Sequence, residues 1–436
     1  MLTKFFFVAF SILMAAAASA QVSPLLQAKM DIEAKDIEPT LIEWRRHFHQ
    51  YPELSNRETK TGAFIAAQLK SFGVEVQYSV AHTGVVGILK GGRPGPVIAL
   101  RADMDALPVT ERNSLAFASI EKITFKSAET GVMHACGHDA HMAILLSVAE
   151  ILAKNKRELK GTVKFLFQPA EETLPEGEEG GASLMVKEGV LENPKVEVIF
   201  GLHIQSLLPS GLLAYRAEGI MAAVDVLKIK VIGQGTHGAT PWDGIDPIMI
   251  GAQIMVGLQT IISRQTDLTK AQAVITIGSI HAGNSYNIIS ETADMLGTIR
   301  SFDFAMQKTL HEKIKLTAEK IAESAGANAE VTIIDGSPLT YNDPRLTAMM
   351  TPSLQRTAGI NNTRVIAPTT MAEDFSFYQE KVPGLFFFLG AYPADIKLDK
   401  PPTHHTADFI IDEKSFVVGV RAMLNLTVDY MFAAKK

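Results

Sequence analysis

Apolar positions in residues 38 to 72 recur with the period of two amphipathic helices. Leu41, Trp44, Arg45 and Phe48 share one face, and Tyr51-Pro52-Glu53 breaks the pattern. A second helix runs from about Glu58 to Phe72 and stops at Gly73. Alternation over Val74 to Val80 predicts a strand. After the turn at Gly91 to Pro96, Val97-Ile-Ala-Leu100 reads as a buried strand, ending in Arg101-Ala-Asp-Met-Asp-Ala-Leu-Pro108. His141 to Lys154 has the helical period. Thr162 to Phe167 is a further strand, ending in Gln168-Pro-Ala-Glu-Glu172, and Val196 to Phe200 another, ending in Gly201-Leu-His203. Strands alternating with helices predict an α/β fold on a mainly parallel sheet.

Polar clusters follow three of these strands at their C-terminal ends: Asp103 with Asp105, Glu171 with Glu172, and His203. Open α/β sheets place their active sites on that edge. From about Gly219 the character shifts. Val224 to Val231, Ala273 to Ser279 and Thr292 to Arg300 read as strands, with a fourth near Val331. Pro247 to Ser263 and Phe304 to Ala325 read as helices. This order resembles a β-α-β-β-α-β ferredoxin-like module. The expected organisation is one α/β domain in two parts, residues 21–218 and 335–436, around an inserted α+β module at 219–334. Phe386 to Gly390 is a buried strand of the second part, with His404-His405 beyond it.

Composition narrows the picture. A chain of 436 residues with 47% hydrophobic and 20% charged positions is that of a soluble globular protein. A net charge of −6 and the lack of any Lys/Arg run argue against nucleic acid as a partner. Lys4, the apolar stretch Phe5 to Met14 and the small residues ending Ala18-Ser19-Ala20 have the layout of a secretory signal peptide, residues 1–20, cleaved before Gln21. The apolar stretch is short for a membrane span. The mature protein is therefore expected to be secreted or periplasmic, with no membrane attachment.

The densest chemistry lies in His134-Ala-Cys-Gly-His-Asp-Ala-His141, which contains the chain's single cysteine, Cys136. That thiol can be a buried apolar filler, a nucleophile or a metal ligand, and the imidazoles beside it favour the ligand. Glu171 and Glu172, adjacent at a strand end, tend to diverge, so one can bind metal while the other faces the cleft. Cys136, His138, Glu172, His203 and His405 make five potential ligands, more than one tetrahedral ion with an open position needs. Such a set suits two ions sharing a bridge. HExxH, GxSxG, P-loop and GxGxxG signatures are absent.

The motifs resemble those of the amidohydrolase branch of the co-catalytic metallopeptidases that include aminoacylase and carboxypeptidase G. The branch holds hippurate hydrolases, N-acyl-amino-acid carboxypeptidases and indoleacetyl-amino-acid hydrolases. The likeness runs from Arg45-Arg-His-Phe-His-Gln-Tyr-Pro-Glu53 through Leu100 to Pro108, Met133 to His141 and Phe167 to Glu172. It continues through Gly201-Leu-His203, Gly235 to Pro241, Gly297-Thr-Ile-Arg300 and Ala372-Glu-Asp-Phe375.

The resemblance implies that Cys136, His138, Glu172, His203 and His405 hold two divalent ions, with Cys136 as the bridge. Zinc or manganese is expected, with cobalt or nickel also accepted. It implies that Glu171 is the general base and acid, and that Asp105 orients a ligand histidine. The inserted module would be a lid and dimer contact. From it His237 would reach a substrate carbonyl or carboxylate, sometimes across a homodimer, while Asn287 and Arg300 hold the substrate. Departures from the pattern are His404 beside His405, Trp242 after Pro241, Ser290, and a short insertion at Ile120 to Ser127.

The expected activity is hydrolysis of the amide of an N-acyl or N-aroyl amino acid, or of a short peptide with a free carboxylate. Two rivals are a non-catalytic peptide- or metal-binding protein on the same fold, and an amidase with Cys136 as nucleophile beside His138 or His141.

Overall fold

The structure is a computed structural model and describes residues 23–395 and 401–433. The expected signal segment and its cleavage position lie outside the described residues. An eight-stranded sheet forms the centre. Its order is Glu75–Val80, Gly84–Lys90, Lys160–Gln168, Arg93–Asp103, Val198–Pro209, Gly384–Tyr392, Leu213–Tyr215 and Thr363–Val365. The four central strands run parallel, and antiparallel pairs occur only towards the two edges.

Alternation along the central strands gives each face its own apolar set. Leu100, Phe165, Phe200 and Phe387 pack against the helices Pro24–Asp36, Glu38–Gln50, Thr59–Ser71, His138–Lys154 and Phe416–Phe432. Leu166, Ile199, Phe386 and Phe388 pack on the other side with Met185, Phe375 and Tyr378. The Glu38–Gln50 helix buries Leu41, Trp44, Arg45 and Phe48, the face read from the sequence. The His138–Lys154 helix is buried along nearly its whole length, so it starts three residues earlier than its apolar period alone suggests.

A second sheet, fully antiparallel, has the order Ala273–Ala282, Thr292–Ser301, Ala223–Ile232 and Asn328–Asp335. Its helices, Pro247–Gln265 and Phe304–Ser324, cover one face around Leu227, Ile229, Ile254, Leu258 and Ile314. Chain order and strand order are those of a ferredoxin-like module. The Ile120 to Ser127 insertion contributes to a small hairpin, Lys122–Phe125 with Ala128–Gly131. No described helix is long and apolar enough to cross a membrane.

Candidate metal centre

Three chain reversals bring the polar clusters together. Asp103 pairs with Gln168 in parallel register, so residues 104–108 and 169–172 leave the sheet side by side. Gly137 stands between Cys136 and His138 with φ +103°, which lets the chain turn into the helix. A Cβ at Gly137 would lie 3.2 Å from Cβ of Ile204. Ala170 and His405 hold φ of +52° and +61°, conformations that L-residues keep only where neighbours fix them. The N–H of Ala170 donates to Glu58 Oε1 at 2.8 Å, and that of His405 to the Ala135 carbonyl at 2.9 Å.

The outcome is a cluster of donors around one thiol. Cys136 Sγ lies 3.4 Å from His203 Nε2 and 3.3 Å from His405 Nε2. His405 Nε2 is 3.3 Å from Glu172 Oε2, and His138 Nε2 is 3.8 Å from Glu172 Oε1. Two triads result, Cys136–His138–His203 and Cys136–Glu172–His405, each with its donor atoms within 4.8 Å of one another. His138 Nε2 and Glu172 Oε1 are buried and have no hydrogen-bond partner. Buried polar atoms are nearly always bonded, so this pair fits ligands of a cation. A sulfur, nitrogen and oxygen donor set suits a divalent transition ion.

Neighbouring groups aim the donors. His138 Nδ1 bonds the Asp105 carbonyl at 2.8 Å, with the Asp105 carboxylate at 3.2 Å, which leaves Nε2 bare. Asp105 Oδ2 also accepts from the Ser55 hydroxyl at 2.7 Å and the Glu172 N–H at 2.9 Å. One carboxylate thereby steers both His138 and the backbone of Glu172. His404 is a different case. Its Nδ1 lies 3.2 Å from the Cys136 carbonyl and its Nε2 accepts from the Ser206 N–H, so neither nitrogen is available to an ion. Burial, then His405 and His141, push His404 down to about 3.

The donors open onto a cleft of about 680 Å³ that Glu171, Met371, Phe388 and Arg300 also line. Burial, then the fields of Glu373, Glu172 and Asp374, push the Glu171 carboxyl well above the ordinary range. Burial, then the field of Glu172, likewise raises the Cys136 thiol well above its usual value. Arg300 donates to the Thr370 carbonyl at the cleft wall.

His237 and Asn287 do not line this cleft. His237 is exposed on the antiparallel pair Thr236–His237 with Ile288–Ile289, and its Nδ1 accepts from the Ala239 N–H. The Asn287 carbonyl accepts from the Gly238 N–H on the same surface. Of these three residues of the inserted module, Arg300 alone lines the cleft of the donor cluster.

A buried network beneath the site carries roles that sequence reasoning did not assign. Arg101, fully buried, donates to Asp103 Oδ2 at 2.6 Å and to Asp374 Oδ1 at 2.9 Å, with Glu373 Oε1 also at 2.9 Å. Burial opposes ionisation of Asp103, but Arg101, His138 and His141 hold it well below the usual carboxylate range. The only signal was charge at the end of a buried strand, in Arg101-Ala-Asp103; Glu373-Asp374 lies in a loop and gave none. Glu58, which accepts from the Thr83 hydroxyl at 2.5 Å and anchors Ala170, gave no signal at all.

Residues 99–429 match the model of peptidase family M20/M25/M40. The chain belongs to the M20 peptidase family. A thermostable carboxypeptidase of Saccharolobus solfataricus is 40% identical over 407 residues, covering 93% of this chain and 99% of that protein. An Arabidopsis thaliana IAA-amino acid hydrolase (ILR1-like 2) is 34% identical, covering 90% and 86%. The crystal structure of the Bacillus subtilis YxeP protein, described as a dinuclear metal binding peptidase from the M20 family, superposes with a TM-score of 0.75 at 34% identity. It covers 90% of this chain and 98% of that one. The M20 fold and hydrolase class read from the sequence therefore stand.

The arrangement leaves a cysteine nucleophile without a base in His141, because Asp103 and the Ile204 N–H take its two nitrogens. In His138, the Asp105 carbonyl holds Nδ1, and Nε2 faces Cys136 together with Glu171 and Glu172, as a shared metal position requires.

Proposed function

We propose that this M20 hydrolase is an exported, metal-dependent amidohydrolase. Its substrate would be an N-acyl or N-aroyl amino acid, or a short peptide with a free carboxylate. The observation that carries the reading is the pair of donor triads sharing Cys136, with the Glu171 carboxylate 3.9 Å from His138 Nε2. Two divalent ions, zinc or manganese first, with cobalt or nickel also accepted, would supply Lewis acidity for the carbonyl and make a water acidic at neutral pH. Cys136, His138 and His203 would hold one, and Cys136, Glu172 and His405 the other.

Glu171 takes the proton of the attacking water and returns it to the leaving nitrogen. Its carboxyl, raised by burial and three nearby carboxylates, is suited to give that proton back. Arg300 on the cleft wall receives the substrate carboxylate. Asp105 keeps His138 in the tautomer that presents Nε2.

The similarity to a carboxypeptidase and to an IAA-amino acid hydrolase supports a substrate with a carboxylate next to the scissile amide. His237 and Asn287, exposed on the lid, would act on a cleft after lid movement or in a homodimer. Export rests on Lys4, the Phe5 to Met14 run and Ala18-Ser19-Ala20. Sequencing the N-terminus of secreted protein should give Gln21.

A matched panel tests the substrate reading: hippurate and N-acetyl-methionine against the same compounds with the carboxylate amidated. The free acids should be hydrolysed at least tenfold faster, the scale of one charge-assisted contact at about 1.5–3 kcal/mol. Equal rates would remove the carboxylate from the recognition.

A further inference from the structure

His141 belongs to the cysteine motif, yet the mechanism gives it no part. Its ring is buried directly below the donors, with centroids 4.7 Å from His203 and 5.4 Å from His138. Both ring nitrogens are committed. Nε2 accepts from the N–H of Ile204 at 2.8 Å, so the proton sits on Nδ1, which donates to Asp103 Oδ1 at 2.5 Å. The carbonyl of the same Ile204 accepts from His203 Nδ1 at 2.6 Å. That bond turns His203 Nε2 towards Cys136 Sγ, 3.4 Å away. Behind Asp103, the guanidinium of Arg101 closes the line at 2.6 Å, and both groups are fully buried.

We infer that His141 is a positioning residue: by fixing the backbone of Ile204 it sets the ring of His203, and through it the affinity of the Cys136–His138–His203 triad for its ion. The inference rests on the two-ion reading above. It concerns one triad only, because the bonds of Glu172 and His405 go to each other, Cys136 and Asp105, and those of His141 and Ile204 to Asp103 and His203. A core histidine that merely fills space would instead affect both triads alike or neither. His141 is also no ligand of a third ion with Asp103 and His138, since hydrogen bonds already use both of its nitrogens.

Cobalt(II) titration of the metal-stripped full chain tests this, read by the d–d bands, the thiolate-to-cobalt charge-transfer band and competition with a chelator. Wild type should bind two ions. His141→Phe keeps the ring volume without its bonds, and one of the two steps should weaken by about 10–100-fold, the usual effect of losing an outer partner of a ligand. The other step should stay near wild type. His203→Ala should weaken the same step. His141→Gln, whose side-chain carbonyl can still accept from Ile204, should recover most of the loss. If His141→Phe does not fold, His141→Asn, whose amide sits at the Nδ1 position facing Asp103 and is too short to reach the Ile204 N–H, carries the same expectation. Two unchanged steps, or equal weakening of both in the Phe and Gln variants alike, would overturn the inference while leaving the two-ion reading intact. Wild type that binds fewer than two ions would overturn both.

Discussion

Cys136 Sγ and His405 Nε2 lie 3.3 Å apart although 269 positions separate them in the chain. The same sulfur lies 3.4 Å from His203 Nε2, so one thiol touches donors delivered by two distant segments. Removing it takes a donor atom from both triads at once. Cys136→Ala should therefore lower metal affinity by more than roughly 100-fold, beyond the 10–100-fold typical of an outer partner. Metal analysis after gel filtration should find less than one ion per chain, with an unchanged far-ultraviolet dichroism spectrum. Two retained ions would remove Cys136 from the shared position.

Glu171 stands beside the donors without belonging to either triad that shares Cys136. Glu171→Gln keeps shape and burial but cannot take a proton. Its kcat should fall by about 10²–10⁴-fold, the range of a lost general base, while metal content stays at the wild-type value. Activity within tenfold of wild type would assign the base elsewhere.

Arg300 offers the cleft a guanidinium. Arg300→Ala should raise KM for an N-acyl amino acid by about 10–100-fold, corresponding to a charged hydrogen bond of about 1.5–3 kcal/mol. The amidated analogue should be affected far less. A fall in kcat alone, with KM unchanged, would point to a part in chemistry rather than in holding the carboxylate.

Glu58 links pH to stability. Burial, then the field of Asp105, push its carboxyl up to about 8. A folded value above the unfolded one means that the folded chain retains a proton the unfolded chain has lost. Stability is then full below about pH 4.5 and declines as pH rises towards about 8, by a few kcal/mol at most at about 1.4 kcal/mol per pH unit. Glu58→Gln keeps a carbonyl to accept from the Ala170 N–H, turns the bond with Thr83 so that the amide donates to the hydroxyl, removes the titrating proton, and should flatten that slope. Melting temperatures of the metal-free proteins at pH 5 and pH 8 measure it, and identical slopes in both would contradict the assignment.

Much of this was legible in the chain because the strongest signals are local. Leu41, Trp44, Arg45 and Phe48 announce their helix by spacing, and the cysteine motif places its donors within a few residues. His203 was harder to place. Its strand reads as ending at Phe200, where Gly201 and the polar residues beyond interrupt the apolar run. In the structure pairing with Gly384–Tyr392 carries the strand on to Pro209, so His203 sits within it, opposite Phe388. The Pro24–Asp36 helix, with Leu26, Met30 and Ala34 buried, shows too narrow an apolar stripe to stand out among its charges. Glu58 anchors Ala170, 112 positions further on, and Arg101 reaches Asp374, 273 positions further on, relations that no local pattern encodes. His404 and His405 are indistinguishable as letters. The structure separates them: both nitrogens of His404 are held by backbone groups, while His405 Nε2 faces Cys136 and Glu172.

The most direct measurement is hydrolysis of the best substrate from the N-acyl amino acid panel by purified mature protein, as isolated, after chelation, and after return of zinc or manganese. Activity should vanish with the chelator and return with the metal, saturating at two ions per chain. Full activity in protein shown by metal analysis to be stripped of ions would contradict the account.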